Sequence, residues 1–304
     1  MSLVVVGSVA YDGVQTPHGQ RERMLGGACT YVALAASYFT RVGVVGVVGE
    51  DFDPADRRFL EERGIDLAGL EQKPGKTFYW SGVYSEDMND RVTLRTELNV
   101  FGDFQPELPP GYRRQPYLFL GNIQPELQRR VREQMESPRL VGGDTMNYWI
   151  ESRREALLET LAGWHVLLIN DSEARLLSGE RNLRRASERI RSLGPRILVI
   201  KRGEHGAVLF ADEGPFLAPA YPLDTVADPT GAGDCFAGGF FGYLAEQGAD
   251  LRDGIERRLL RRAVIYGSVM GSFCCERFGV ERFRTLTRAE IDARFKEFKE
   301  LTEF

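Results

Sequence analysis

Residues 228–239 read Asp228-Pro229-Thr230-Gly231-Ala232-Gly233-Asp234-Cys235-Phe236-Ala237-Gly238-Gly239. Phe236, Phe240, Tyr243 and Leu244 then recur at helical spacing, so a glycine-rich loop runs directly into a helix N-terminus. The free N–H groups of a first helical turn and the helix dipole together favour an anion. The small residues Gly231, Ala232 and Gly233 let backbone N–H groups come close to it. Asp234 puts a carboxylate at the same point. Local physics gives that carboxylate two readings. It is a charge that stabilises the helix start, or a base that takes a proton from an attacking hydroxyl while the N–H groups hold a transferring phosphoryl group.

The surrounding chain has 304 residues, 43% hydrophobic and 27% charged, with a formal net charge of −5. That length buries a core without disulfide or metal staples. A mildly acidic chain has no electrostatic reason to seek nucleic acid or an anionic membrane. Cys29, Cys235, Cys274 and Cys275 show no zinc spacing and read as reduced thiols of a cytoplasmic protein. Nor do His18, His165 and His205 show metal spacing. The start, Leu3-Val4-Val5-Val6-Gly7, lacks a basic flank and is too short for a signal peptide; it reads as a buried strand. No 18-residue apolar run marks a membrane span.

Short apolar runs at 4–6, 42–48, 117–120, 139–142, 166–169 and 197–200 alternate with helical patterns at 29–39, 57–63, 125–136, 151–162, 173–177, 183–193 and 264–274. Strands rich in Val, Ile and Leu between helices predict a mostly parallel sheet covered on both faces. Two segments break the rhythm. Asp12–Leu25 is polar and turn-rich. Over Thr77–Thr96, Phe78, Trp80, Gly82 and Tyr84 fall on one face, followed by Val92, Leu94, Thr96 and Leu98, with a polar turn at 86–91. This predicts an antiparallel hairpin standing outside the main sheet. The arginines 257, 258, 261 and 262 read as a solvated helix face.

The 228–239 segment resembles the C-terminal signature of the ribokinase-like (PfkB) family of carbohydrate and nucleoside kinases. G-A-G-D alone is expected by chance in a chain of this length about once in 100. Further pieces fall in family order over essentially the whole chain. Val4–Asp12 resembles the first strand and its substrate-binding Asp, and Gly26-Gly27-Ala28 the N-terminal di-glycine motif. Val47–Phe52 resembles a "VGxDxFG" stretch, with Asp53 in place of its Gly. Asn170–Glu173 followed by Leu176–Gly179 resembles the N-x-x-E motif and its sequel. Lys201–Ala207 resembles the nucleotide loop, with Lys201 where Thr is usual. The di-glycine motif departs in one respect: the position of its acceptor-binding Asn is Tyr31.

The resemblance implies a three-layer α/β/α kinase fold spanning 1–304 as one domain, with a mostly parallel central sheet and a small β lid from about 12–25 and 76–98. It implies Asp234 as general base and the backbone of Gly231, Ala232 and Gly233 as anion hole for the γ-phosphoryl group. The acceptor then falls to Asp12, Gly26, Gly27 and Tyr31, with Asn122 and Asn147 behind strand ends where such sheets bind ligands. ATP falls to Asn170, Glu173, Lys201, Gly203, Gly206, Phe278 and Gly279. Mg²⁺ falls to Glu173 through water, and a monovalent cation, K⁺, to Asp228 and Thr230. Asn170 and Glu173 equally have the spacing of a helix capping box.

Three functions compete. The first is an ATP-dependent kinase acting on a hydroxyl of a small sugar or sugar-like acceptor. The second is a nucleoside kinase of the adenosine type, in which Tyr31, Phe78, Trp80 and Tyr84 stack a base, the same rings being equally readable as flap core or dimer seam. The third is a non-catalytic nucleotide-binding protein, against which the intact Asp234, Asn170 and Glu173 speak. The lid's exposed strand edge suits a homodimer as well as a closing flap.

Overall fold

Successive residues of each central strand enter different cores: Val4 and Val6 pack with Leu118, Leu120, Leu167, Ile169, Leu198 and Ile200, while Leu3 and Val5 pack on the other side with Phe119, Leu168 and Val199. A strand's side chains alternate between faces, so runs apolar at every position must be covered twice. The computed structural model describes residues 2–303; Met1 and Phe304, the ends of the expected domain span, lie outside the described residues.

The strands are β1 (Leu3–Val6), β2 (Ala10–Thr16), β3 (Gly19–Gly26), β4 (Val42–Gly49), β5 (Asp66–Lys73), β6 (Phe78–Tyr84), β7 (Arg91–Glu97), β8 (Tyr117–Leu120), β9 (Leu140–Gly143), β10 (Val166–Asn170), β11 (Ile197–Lys201), β12 (Ala207–Ala211) and β13 (Gly214–Ala218). Nine form the main sheet, in the order β13-β12-β11-β10-β9-β8-β1-β4-β5. All neighbours from β11 to β5 pair parallel, and β12 and β13 add an antiparallel edge. The helices Ala28–Ala36, Ala232–Glu246 and Arg257–Cys275 cover one face. Pro125–Gln134, Arg154–Leu161, Asp171–Ser178 and Leu183–Arg191 cover the other. The expected three-layer ribokinase-like arrangement is what the structure shows. Among the described residues no helix is long and apolar enough to cross a membrane.

The lid is a second sheet, β3-β2-β6-β7. It is two antiparallel hairpins set side by side, with the inner pair β2–β6 parallel. The sequence reading of Asp12–Leu25 as turn-rich is corrected here: it forms most of β2 and β3. Its outer hairpin strand, Gly-Gln-Arg-Glu-Arg, is exposed and polar, so no apolar alternation marks it. The expected face Val92–Leu94–Thr96 is also corrected. A register shift in the β6–β7 pair leaves Leu94 unpaired, so Thr93 stands opposite Gly82 and Arg91 opposite Tyr84. The bulge turns Arg91 to the side of Tyr84 and leaves Val92 and Leu94 each 63% exposed.

Two smaller readings change as well. The helix expected at 57–63 begins at Pro54, because the Asp53 side chain caps it by accepting from Ala55 N at 2.8 Å. That cap accounts for Asp53 in place of Gly. The basic run is not a plain solvated face: Arg261 lies over Phe216 at 5.1 Å, and Arg262 over Tyr243 and Phe295 at 5.6 and 5.3 Å.

Candidate active site

The helix Ala232–Glu246 starts at Gly231, whose backbone is left-handed with φ 77°. Only glycine adopts that readily. The ring of Tyr31 lies directly beneath it. Ala232 gives its N–H to Pro229 O at 3.1 Å, and Cys235 its N–H to Gly231 O at 2.8 Å. Among the described residues the N–H groups of Gly231, Gly233 and Asp234 meet no protein acceptor. These are the donors left for an anion at the helix start; Ala232 contributes its small side chain rather than its N–H.

Lys201, the last residue of β11, reaches the same turn, with Nζ 3.4 Å from Gly233 O. Its strand neighbour in register is Asn170. There the capping box is formed: Asn170 Oδ1 accepts from Glu173 N at 2.7 Å, and Glu173 Oε2 accepts from Asn170 N at 2.9 Å. The cap fixes the Glu173 carboxylate beside Lys201 while using Oε2 alone. Burial raises the Glu173 pKa, against the pull of the cap and of the charges of Lys201 and Arg91. Asp234 is half-buried, and desolvation raises its pKa, with Lys201 and Arg91 opposing the rise. Burial and, in turn, the Asp234 charge raise the pKa of Asp144, a buried residue just past β9 whose Oδ1 has no hydrogen-bond partner.

On the acceptor side Asp12 projects from β2 over Gly26, where any β-carbon would collide with its carboxylate. Tyr31 Oη lies 3.5 Å from Asp12 Oδ2. Burial, with Asp228 and Asp234 adding like charge, pushes the Asp12 pKa up to about 7. Gly27, with φ 90°, starts the Ala28–Ala36 helix in a gap too narrow for a β-carbon. Asp12, Gly26, Gly27, Tyr31, Gly231, Gly233, Asp234, Asn170, Glu173 and Lys201 thus meet at the carboxyl ends of the parallel strands, the usual ligand crevice of such sheets.

The remaining expected residues sit apart from this group or brace it. Asp228 is fully buried, accepting from Thr230 N and Gly279 N, both at 2.9 Å. Thr230 Oγ1 bonds Tyr84 Oη at 3.1 Å, and Phe278 packs with Val14 and Tyr84, so this loop is the seat of the lid. Thr16 Oγ1 adds a bond to Ala227 O at 2.9 Å. Gly203 and Gly206, with φ 54° and 79°, form the turn after β11. Asn122 accepts from Trp149 Nε1 at 2.9 Å, which ties its amide to the wall. Asn147 is exposed at the start of the short helix Asn147–Ser152. Of the four rings weighed for stacking, Tyr31 is 1% exposed under Gly231, Phe78 is stacked on Phe101 at 5.2 Å, and Tyr84 is buried in the lid seat. Phe78 and Trp80 are both half-buried, and Trp80 is paired in register with Asp12.

Three residues escaped the sequence reading. Asp144 was visible only as a strand end. Arg91 was hidden in a turn until the bulge brought it to the inner face. Asn89, at the lid tip, donates to Glu204 Oε1 at 3.3 Å and touches the nucleotide-loop turn at Gly203. A cleft of about 210 Å³ lined by Tyr11, Arg23, Lys76 and Arg95 lies on the opposite side of the lid from Asp12 and holds none of these groups.

A lidded, mostly parallel sheet with a carboxylate at a glycine-rich helix start defines a phosphotransferase of the ribokinase-like fold. The chain matches the pfkB family carbohydrate kinase profile over residues 2–285 and belongs to that family. It is 31% identical over 267 residues to a cytidine kinase of Thermococcus kodakarensis, covering 84% of this chain and 94% of that protein. Among solved structures it resembles a ribokinase from Giardia lamblia, with TM-score 0.79, 19% identity and 98% and 99% coverage. It also resembles a nucleoside kinase from Methanocaldococcus jannaschii, with TM-score 0.75, 19% identity and 98% and 99% coverage. The protein is an ATP-using kinase that transfers phosphate to a hydroxyl of a sugar or nucleoside.

Proposed function

We propose that the acceptor is a nucleoside, phosphorylated on its primary hydroxyl. The observation that carries this is the pairing of Asp12 with Trp80 across β2 and β6: a carboxylate for ribose hydroxyls stands beside a half-buried aromatic face for a base. The likeness to a cytidine kinase over most of both chains supports it. Asp234 takes the hydroxyl proton as the new O–P bond forms. The N–H groups of Gly231, Gly233 and Asp234, with Lys201, hold the phosphoryl oxygens, so the chemistry is mostly positioning and charge stabilisation. The aromatic lid closes the crevice and keeps water from the phosphoryl group.

Mg²⁺ fits the donor set. The groups here are oxygens, as a hard cation requires, and among the described residues no cluster of three or more ligating side chains exists to hold an ion alone. Glu173 would bind it through water beside the ATP phosphates, and the ion would supply charge neutralisation there. Asp228 and Thr230 are the groups for a monovalent cation; each Asp228 oxygen accepts one backbone N–H and keeps a lone pair. The chain works as one domain with its lid, in the cytoplasm, with its four cysteines free. The exposed Val92 and Leu94 on the edge strand β7 suit a second copy of the chain.

The test is an ADP-release screen of the purified protein over nucleosides, ribose, fructose and 2-keto-3-deoxygluconate. A nucleoside should give the highest kcat/KM by at least about tenfold, the scale of one good stacking contact. A free sugar leading by that margin would replace this reading with the sugar-kinase one.

A further inference from the structure

Asp12 and Trp80 stand opposite each other in the β2–β6 register, and each leans over a glycine. Asp12 leans over Gly26 on β3. Trp80 leans along its own strand, and Cζ2 and Cη2 of its indole lie 2.7 Å from where a β-carbon at Gly82 would stand. No β-carbon tolerates so close an atom, so the ring has this place only because residue 82 is glycine. The backbone does not ask for glycine there: Gly82 lies within β6 and its φ is not positive.

Three further contacts hold the ring. Val14, opposite Gly82 on β2, packs with Tyr84 and Phe278, and the indole packs against that cluster. Thr93, opposite Gly82 on β7, accepts the indole Nε1–H at 3.3 Å. The Arg91 guanidinium stands over the ring, 5.7 Å from its centroid. Val14, Gly82 and Thr93 thus form one row across three strands, and that row is the seat of the indole. The register shift in the β6–β7 pair brings Thr93 into it. Without the shift Gly82 would stand opposite Leu94, which has no acceptor for the indole N–H. The seat decides what the acceptor meets. With the indole over Gly82 and the carboxylate over Gly26, one register pair presents an aromatic and a charged surface side by side. A β-carbon at 82 would force the ring off the seat and change that surface.

We propose that Gly82 and Thr93 are positioning residues that set acceptor specificity: they seat the Trp80 indole so that a base packs against it while the ribose hydroxyls of the same molecule reach Asp12. This rests on the nucleoside reading of the acceptor. The base is the part of the acceptor that gains from the seat, because an aromatic ring is a flat apolar partner for the indole and a free sugar is not. Lys201, Asn170 and Glu173, on the ATP side, lie outside this row, so the seat acts on the acceptor alone.

The experiment is a double-mutant cycle between Gly82→Ala and Trp80→Leu, with Thr93→Val measured beside it. Steady-state KM and kcat are read with MgATP and the nucleoside turned over fastest in the screen. Gly82→Ala should raise the KM for the nucleoside by about tenfold, with kcat and the KM for ATP within about threefold. Trp80→Leu should raise it by as much or more, and Gly82→Ala added to Trp80→Leu should change it further by less than about twofold. Thr93→Val keeps the shape and loses the acceptor of the indole N–H; it should raise the nucleoside KM by about 3–10-fold, the scale of one hydrogen bond. Those results support the inference. An unchanged nucleoside KM in either Gly82→Ala or Thr93→Val overturns it, as does a Gly82→Ala effect that persists in full without the indole. Val92 O also stands 3.1 Å from the β-carbon position at 82. If Gly82→Ala does not fold for that reason, Thr93→Val with and without Trp80→Leu decides in the same way. A wild type that phosphorylates a free sugar at least about tenfold better than any nucleoside would instead remove the nucleoside reading itself, a separate failure seen before any variant is made.

Discussion

The ring of Tyr31 lies so close beneath Gly231 that a β-carbon at 231 would sit 2.5 Å from it, while its hydroxyl oxygen stands 3.5 Å from Asp12 Oδ2. One buried side chain therefore spans the floor of the phosphoryl site and the carboxylate of the acceptor site. Where the family's motif carries an Asn, Tyr31 fills the space beneath the loop, and in the proposed reading Asp12 is left to recognise the acceptor hydroxyls.

Gly231→Ala should therefore fail on two counts. The left-handed backbone strains a β-carbon, and the Tyr31 ring occupies its space. We expect a loss of stability of about 1–3 kcal/mol and a kcat reduced beyond what that loss explains, measured by urea unfolding and by turnover at a temperature where the variant is folded. The double variant Gly231→Ala/Tyr31→Leu should recover part of the stability, because it removes the collision but not the backbone strain.

Glu173→Gln keeps the capping box, since the amide oxygen still accepts from Asn170 N. Stability should change by less than about 1 kcal/mol. The Mg²⁺ concentration for half-maximal rate should rise, because the charge near the phosphates is gone. An unchanged Mg²⁺ titration in a folded variant would reduce Glu173 to a cap.

Asp12 gives a pH signature. Its folded pKa of about 7 lies above the ordinary carboxylate value of 3.8, so the folded state binds its proton more tightly than the unfolded chain. Stability from this group is fully present below pH about 4 and is lost as pH rises through about 7. Asp12→Asn cannot ionise and should escape that loss. Its Tm relative to wild type, in the absence of acceptor, should increase between pH 5 and pH 8. A difference independent of pH would show that Asp12 is not held this way, and the variant's acceptor KM should rise because a ribose hydroxyl loses its charged acceptor.

Arg91 and Asn89 couple the lid to the transfer site. Asn89 bonds Glu204 beside the nucleotide loop, and Arg91 faces Tyr84, whose hydroxyl bonds Thr230 in the anion-hole loop. Arg91→Ala should lower kcat by roughly 10-fold or more, the scale of one lost phosphate-facing charge, with little change in stability. Hydrogen exchange of 77–96 should slow when acceptor binds in the wild type and respond less in Arg91→Ala. Equal protection with and without acceptor would mean that the hairpin is simply packed on the body.

Much of this arrangement was legible in the sequence because it depends on local chemistry. The apolar runs at 4–6, 166–169 and 197–200 can only be strands covered twice, and the D-P-T-G-A-G-D run announces its own helix start. The hairpin at 77–96 showed through its aromatic alternation. What stayed hidden depends on tertiary register. β3 has a solvated face and no alternation to read. The bulge at Leu94 exchanges the faces of β7, so Arg91 could not be assigned to the site from spacing. Asp144 and Asp234 are ninety residues apart, and the charge of one acts on the other only because β9 runs to the crevice where the Ala232–Glu246 helix starts. Nothing in either segment alone requires it.

The most direct test of the account follows the product itself. Wild type and Asp234→Asn are incubated with MgATP and cytidine, and ³¹P NMR records where the γ-phosphate goes. Asp234 as base to a primary nucleoside hydroxyl predicts a 5′-phosphate monoester from the wild type, formed at a rate roughly 10²–10⁴-fold lower in the Asn variant, with ATP binding kept. Equal ester formation by both proteins, or ATP converted to ADP and free phosphate with no ester, would contradict it.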